Sequence, residues 1–103
     1  MTYALRFLPQ VEADVLKGLA WYEDKSQGLG EEFLRVFYAC SQELARNPLV
    51  CQKVHRDFRR CLLRRFPYAV YFQIEDDHVI VFGLFHCARD PRRLRRELGD
   101  RKQ

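Results

Sequence analysis

In this 103-residue chain the side chains with chemistry to offer are arginines, and they are clustered. Arg59, Arg60, Arg64 and Arg65 fall in one short segment, and Arg92, Arg93, Arg95 and Arg96 fall in another. A guanidinium is a planar fork of N–H donors that grips a phosphate or a carboxylate in two places at once. Such a set suits either a phosphodiester backbone or an acidic polypeptide. His86 stands just before Arg89, and histidine is the side chain that exchanges a proton near neutral pH. Cleaving RNA requires activation of a ribose 2′-hydroxyl and stabilisation of a pentavalent phosphate, so His86 with Arg64 and Arg89 supplies residue types for that reaction. Tyr68 and Tyr71 offer rings on which bases can stack, although strand tyrosines beside helices more often pack in the core or at its rim. His55, Cys51, His86 and Cys87 lack the spacing of a zinc site, and nothing in the pattern implies a metal or a cofactor.

The formal net charge of +4 hides a division along the chain. Residues 1–52 carry five basic and seven acidic side chains, whereas residues 53–103 carry thirteen basic and seven acidic ones. The second half therefore calls for an anionic partner, nucleic acid or acidic protein. The length fits one domain spanning 1–103, since halves of it would be too small to bury cores of their own. With no signal-like start and no long apolar run, the sequence predicts a cytoplasmic protein that does not enter a membrane. In that compartment Cys40, Cys51, Cys61 and Cys87 are expected to be reduced thiols.

The elements that must position these groups follow from periodicity. Tyr3 to Leu8 alternates as a strand does, and Pro9 suits the first turn of a helix. Val11, Val15, Leu16, Leu19 and Tyr22 then form one helical stripe, and Glu12 and Asp14 favour that helix's N-terminus electrostatically. Trp21 and Tyr22 are expected to cap the core. Ser26 to Gly30 makes a short glycine-rich turn into a second helix, Glu31 to Arg46, with Phe33, Phe37, Cys40 and Leu44 facing inward and Val36 beside them. Asn47-Pro48 ends it. Three strands follow: Phe58 to Phe66, Ala69 to Glu75 and Val79 to His86. Glu75 to His78 forms the last turn, and the apolar third strand is covered on both sides. In the first of these strands, alternation puts Arg60 and Arg64 on one face and Arg59 and Arg65 on the other, so Arg60 and Arg64 are the pair favoured for a shared site. Pro91 to Leu98 forms a short helix whose arginines must face water or a partner. The fold class is α+β: an N-terminal strand, a two-helix hairpin, a three-stranded antiparallel meander completing a four-stranded sheet, and a short C-terminal helix.

Several of these segments together resemble a known family. Glu12-Ala-Asp14, Trp21-Tyr22, the Phe33 to Leu44 helix, Pro48, Arg64-Arg65-Phe-Pro-Tyr68-Ala-Val-Tyr71, His86 and Ala88-Arg89-Asp-Pro91 are similar to ParE-type members of the RelE/ParE superfamily. The resemblance covers nearly the whole chain. It implies a growth-inhibiting, plasmid-stabilising toxin held inactive in a hetero-oligomer by a cognate antitoxin whose acidic, partly disordered tail folds over it. RelE-like members are ribosome-dependent mRNA endonucleases, and ParE-like members are associated with inhibition of DNA gyrase.

The ribonuclease pattern is only partly matched. Arg89 corresponds to the arginine that ends the last strand, and Arg60 and Arg64 stand near basic positions. Leu62 replaces a lysine, Ala69 an arginine, and Arg95 falls near the catalytic tyrosine of that pattern. Loss of a fixed cation costs a few kcal/mol of transition-state stabilisation. The resemblance therefore implies a non-enzymatic gyrase inhibitor, with Arg60, Arg64, Tyr68, Arg89, Arg92 and Arg93 contacting target or antitoxin. The alternative is an mRNA endonuclease using His86 or Glu75 as proton shuttle and Arg64 and Arg89 as phosphate clamps, and a further one is a degenerate, non-toxic homologue that still binds an antitoxin.

Overall fold

The structure is a computed structural model and describes residues 2–102. Strand β1, Ala4–Phe7, leads through Pro9 into helix α1, Gln10–Lys25. Helix α2 spans Leu29–Arg46, and Pro48–Val50 forms a single 3-10 turn after it. Strands β2, Lys53–His55, β3, Phe58–Leu62, β4, Tyr68–Glu75, and β5, His78–His86, then precede helix α3, Pro91–Arg101. The sheet has five strands in the order β1-β5-β4-β3-β2, not the four expected, because Lys53–His55 adds an edge strand. The meander is antiparallel as expected, while β1 closes the sheet in parallel with β5.

Apolar alternation explains the layers. Val70 and Phe72 of β4 and Val79 and Val81 of β5 face the α1–α2 hairpin, where they meet Val11, Val15, Phe33, Phe37 and Leu44. Tyr71, Ile80, Phe82 and Phe85 face the other way, against Leu98 of α3. The near-continuous apolar run of β5 is thus covered on both sides, as its composition requires. A bulge in β5 opposite Tyr71/Phe72 shifts the alternation, so that Leu84 joins the hairpin face together with Val79 and Val81. Within α1 the inward stripe is Val11, Val15, Gly18 and Tyr22. Leu16 and Trp21, expected on that stripe and over the core, are more than half exposed, and Lys25 lies over the Trp21 ring.

The turn between the helices depends on two residues. Gly28 has φ +89°, a left-handed conformation that side chains disfavour. The Glu23 carboxylate accepts hydrogen bonds from the backbone N–H groups of Gly28 and Gly30 at 3.0–3.1 Å, satisfying donors that the start of α2 leaves without helical partners. Glu23→Ala is expected to cost about 1–2 kcal/mol, read as a lower midpoint in urea. An unchanged midpoint would mean that water replaces the carboxylate without loss.

A second interaction closes the open flank of β5. Beyond the reach of β1, the N–H of Leu84 donates to Asp14 Oδ2 at 3.1 Å, and the carbonyl of Phe82 accepts from Arg101 Nη1 at 2.8 Å. Arg101 and Asp14 pair through both guanidinium nitrogens at 2.6 and 3.0 Å, and Arg101 also reaches Glu97. Gly83 makes this possible, since a Cβ there would run into Arg101 and the Phe85 ring. This pairing extends α3 to Arg101, beyond the expected end at Leu98.

Candidate functional site

The arginine-rich segment is not one continuous strand. Strand β3 stops at Leu62, and Arg65 takes φ 70°, which breaks the alternation expected to run to Phe66. The cause lies below the loop. Phe66 is buried edge-on against Tyr22 and Phe33, with ring centroids 4.8 and 5.2 Å apart, and Tyr68 packs against Phe33 at 5.0 Å. Both aromatics point into the hairpin, so Arg64 and Arg65 are turned outward. The Leu63 N–H donates to the Tyr68 carbonyl and the Cys87 N–H to that of Pro67, which sets this loop beside the end of β5.

The arginines have distinct roles. Arg59 donates to the Cys51 carbonyl at 2.6 Å and fixes the chain entering β2. Arg65 pairs with Glu32 of α2 at the surface. Arg64 is exposed and lines a groove between α2 and β3 with Val36, Cys40 and Leu62. Arg60 is exposed on β3 opposite Tyr71. The expected grouping of Arg60 with Arg64 by alternation therefore does not arise, because the strand ends between them. In α3, capped by Asp90 accepting from the Arg92 N–H, residues Arg92, Arg93, Arg95 and Arg96 are all exposed. Among the described residues, none of Arg60, Arg64, Arg92 and Arg93 forms an ion pair.

His86 and Arg89 diverge although they are close in sequence. The bulge places His86 across from Tyr68, its ring 5.2 Å away and edge-on, and Nδ1 accepts from the Ala88 N–H. Tyr68 in turn faces Tyr22 and Phe33 on the hairpin side. Arg89 instead pairs with Glu97 and lies 4.5 Å over the Phe85 ring, on the side covered by α3. The imidazole and the guanidinium thus sit on opposite faces of the sheet. Burial pushes the Tyr68 phenol above its ordinary value, and neighbouring Tyr22 adds to this, so Tyr68 stays protonated at neutral pH. Glu75, the alternative proton shuttle, pairs with His78 at the far end of β4 from Tyr68. At the usual strand rise that is roughly 23 Å away, too far to share a site with Arg64. Tyr71 is buried under α3 and offers no stacking face. The loose zinc set is dispersed, with Cys51 beside Cys61 and His86 at Tyr68.

Sequence reasoning did not find the Asp14–Arg101–Glu97–Arg89 network or the facing thiols of Cys40 and Cys61. Asp14 was legible only as a charge near a helix start, and no local signal links it to a residue 87 positions on.

The family model described as "ParE toxin of type II toxin-antitoxin system, parDE" matches residues 5–91. The chain belongs to the ParE toxin family. No curated protein sequence is similar enough to match. Among solved structures, this ParE-family toxin is similar to a chain of the chromosomal ParDE system from P. aeruginosa, with TM-score 0.69 and 13% identity over 82% of this chain and 96% of that one. It is also similar to a chain of the toxin–antitoxin complex RelBE2 from Mycobacterium tuberculosis, with TM-score 0.59 and 21% identity over 84% and 99%. A double mutant of the E. coli toxin RelE in the free state gives TM-score 0.57 and 17% identity over the full length of both chains. At these identities the likeness is one of fold, shared by both branches of the superfamily. No helix among the described residues of the toxin is long and apolar enough to cross a membrane.

Proposed function

We propose that this ParE-family toxin acts by protein–protein inhibition of DNA gyrase and is neutralised in a hetero-oligomer by a cognate antitoxin with an acidic, partly disordered tail. The observation that carries this reading is the divergence of His86 and Arg89 to opposite faces of the sheet. A ribonuclease must hold its proton-transfer group and its cation within reach of one phosphate. Leu62 and Ala69, standing where RelE-like enzymes carry cations, support the same conclusion. The exposed guanidinium groups of Arg60, Arg64, Arg92 and Arg93 suit carboxylates on a protein partner. Purified toxin is expected to inhibit gyrase supercoiling and to leave ribosome-bound mRNA intact. Cut mRNA with unaffected supercoiling would overturn the proposal. Reversing Arg60, Arg92 and Arg93 together to glutamate is expected to weaken inhibition by at least ~10-fold without lowering the melting temperature, since like charges at an interface oppose association.

A ribonuclease reading is favoured by one observation, that the Arg64 loop, Tyr68 and His86 lie at the same end of the sheet. It requires His86→Ala to abolish cleavage on ribosomes while the protein stays folded.

A further inference from the structure

Four thiols were expected to be reduced, and three of them converge on one groove. Cys40 on α2 and Cys61 on β3 face each other with sulfur atoms 3.6 Å apart, in van der Waals contact and about 1.5 Å beyond bonding distance. Cys51, which follows the 3-10 turn, lines the same groove. All four cysteines are free. Cys40 and Cys61 are partly exposed and line the groove that also carries Arg64 and Leu62, so a small oxidant reaches them from solvent. The two sulfurs belong to different layers of the fold, and a covalent bond between them would tie the sheet to the hairpin.

We propose that Cys40 and Cys61 form a reversible disulfide in response to hydrogen peroxide. The Cys61 thiolate attacks one peroxide oxygen. The O–O bond breaks, sulfur is oxidised to sulfenic acid, and the departing hydroxide takes a proton and leaves as water. Cys40 then attacks the Cys61 sulfur, forming the S–S bond as the S–O bond breaks and a second water departs. Two thiols and one peroxide thus give one disulfide and two waters, and a dithiol reductant reverses the change.

The electrostatics of the cluster suit these roles. Cys61 is lowered, chiefly because Cys40 donates its S–H to the Cys61 sulfur, which favours the Cys61 thiolate. The same hydrogen bond raises Cys40, which keeps its proton until Cys61 is oxidised and the acceptor is consumed. Burial first of all pushes Cys51 up to about 12, and geometry selects the resolving thiol, since it is the Cys40 sulfur that lies 3.6 Å from that of Cys61. In a reducing compartment, disulfides are typically transient and redox-sensing.

The test is direct. Purified toxin treated with stoichiometric hydrogen peroxide should lose about 2 Da by intact mass, regain it with dithiothreitol, and yield a peptide pair joined through Cys40 and Cys61. The Cys51→Ser variant should behave like the parent, whereas Cys40→Ser and Cys61→Ser should form no intramolecular bridge. Alkylation of Cys61 by iodoacetamide should titrate with a midpoint below that of an ordinary thiol in the parent and at clearly higher pH in Cys40→Ala. A bridge involving Cys51, oxidation only to sulfinic acid, or an alkylation midpoint unmoved by Cys40→Ala would overturn the proposal. None of these readouts depends on the target of the toxin.

Discussion

Arg101→Ala is expected to destabilise the protein by about 3–5 kcal/mol, the cost of leaving one partner of a buried ion pair without the other. Its side chain is 10% exposed and that of Asp14 11%, so neither charge can turn to water when its partner is removed. The loss includes more than the pair. Arg101 also accompanies the Phe82 carbonyl and lies 4.9 Å from the Phe85 ring, and its bonds to Asp14 hold the carboxylate that caps the Leu84 N–H. The hydrogen bonds that Arg101 donates to Asp14, above all, raise Arg101 beyond its already high ordinary value, so the cation persists at every pH at which the protein folds. Urea unfolding should show the loss directly. In a double-mutant cycle, Asp14→Ala with Arg101→Ala should cost much less than the two single changes added together, since the second removal relieves the charge that the first left stranded. A single-mutant loss below about 1 kcal/mol would mean that the pair behaves as a screened surface bridge.

The second large effect is expected from Phe33→Ala, at about 3–5 kcal/mol. Phe33 is fully buried and is the hub against which Tyr22, Phe66 and Tyr68 all pack. Removing it opens a cavity beneath the loop that carries Arg64 and Arg65. Hydrogen exchange should therefore accelerate most at the Leu63 N–H, whose partner is the Tyr68 carbonyl across that loop. Uniform acceleration throughout the sheet would show instead that the loop has no local stability of its own and opens only with global unfolding.

What was legible in the sequence was what period and punctuation control. Both hairpin helices, β4, the Asp76-Asp77 turn and the two-sided cover of β5 follow from repeats of apolar residues and from turn chemistry. Strand β2 escaped because Lys53–His55 is too short for alternation to register, and its pairing with Arg59 and Phe58 is decided by the neighbouring strand. The end of β3 escaped because nothing in the residue type of Arg65 announces a positive φ; burial of Phe66 imposes it. The placement of His86 and Arg89 on different faces escaped for the same kind of reason. One extra residue in β5 reverses the parity that decides where His86 points, and bulges leave little trace in composition. The thiol pair joins positions 21 residues apart on elements whose facing is tertiary information.

The parallel pairing of β1 with β5 has a kinetic consequence. Ala4 finds its partner at His78, so the first strand has no hydrogen-bonded neighbour in the sheet until more than seventy further residues have been laid down. Closing so long a loop carries an entropy cost before any contact rewards it, and non-local pairings of this kind slow folding. The helical hairpin and the β4–β5 ribbon are local and form early. Docking of β1 is therefore the late step, and until it occurs β5 presents an unpaired edge, the stage at which a nascent toxin is most open to capture by another chain.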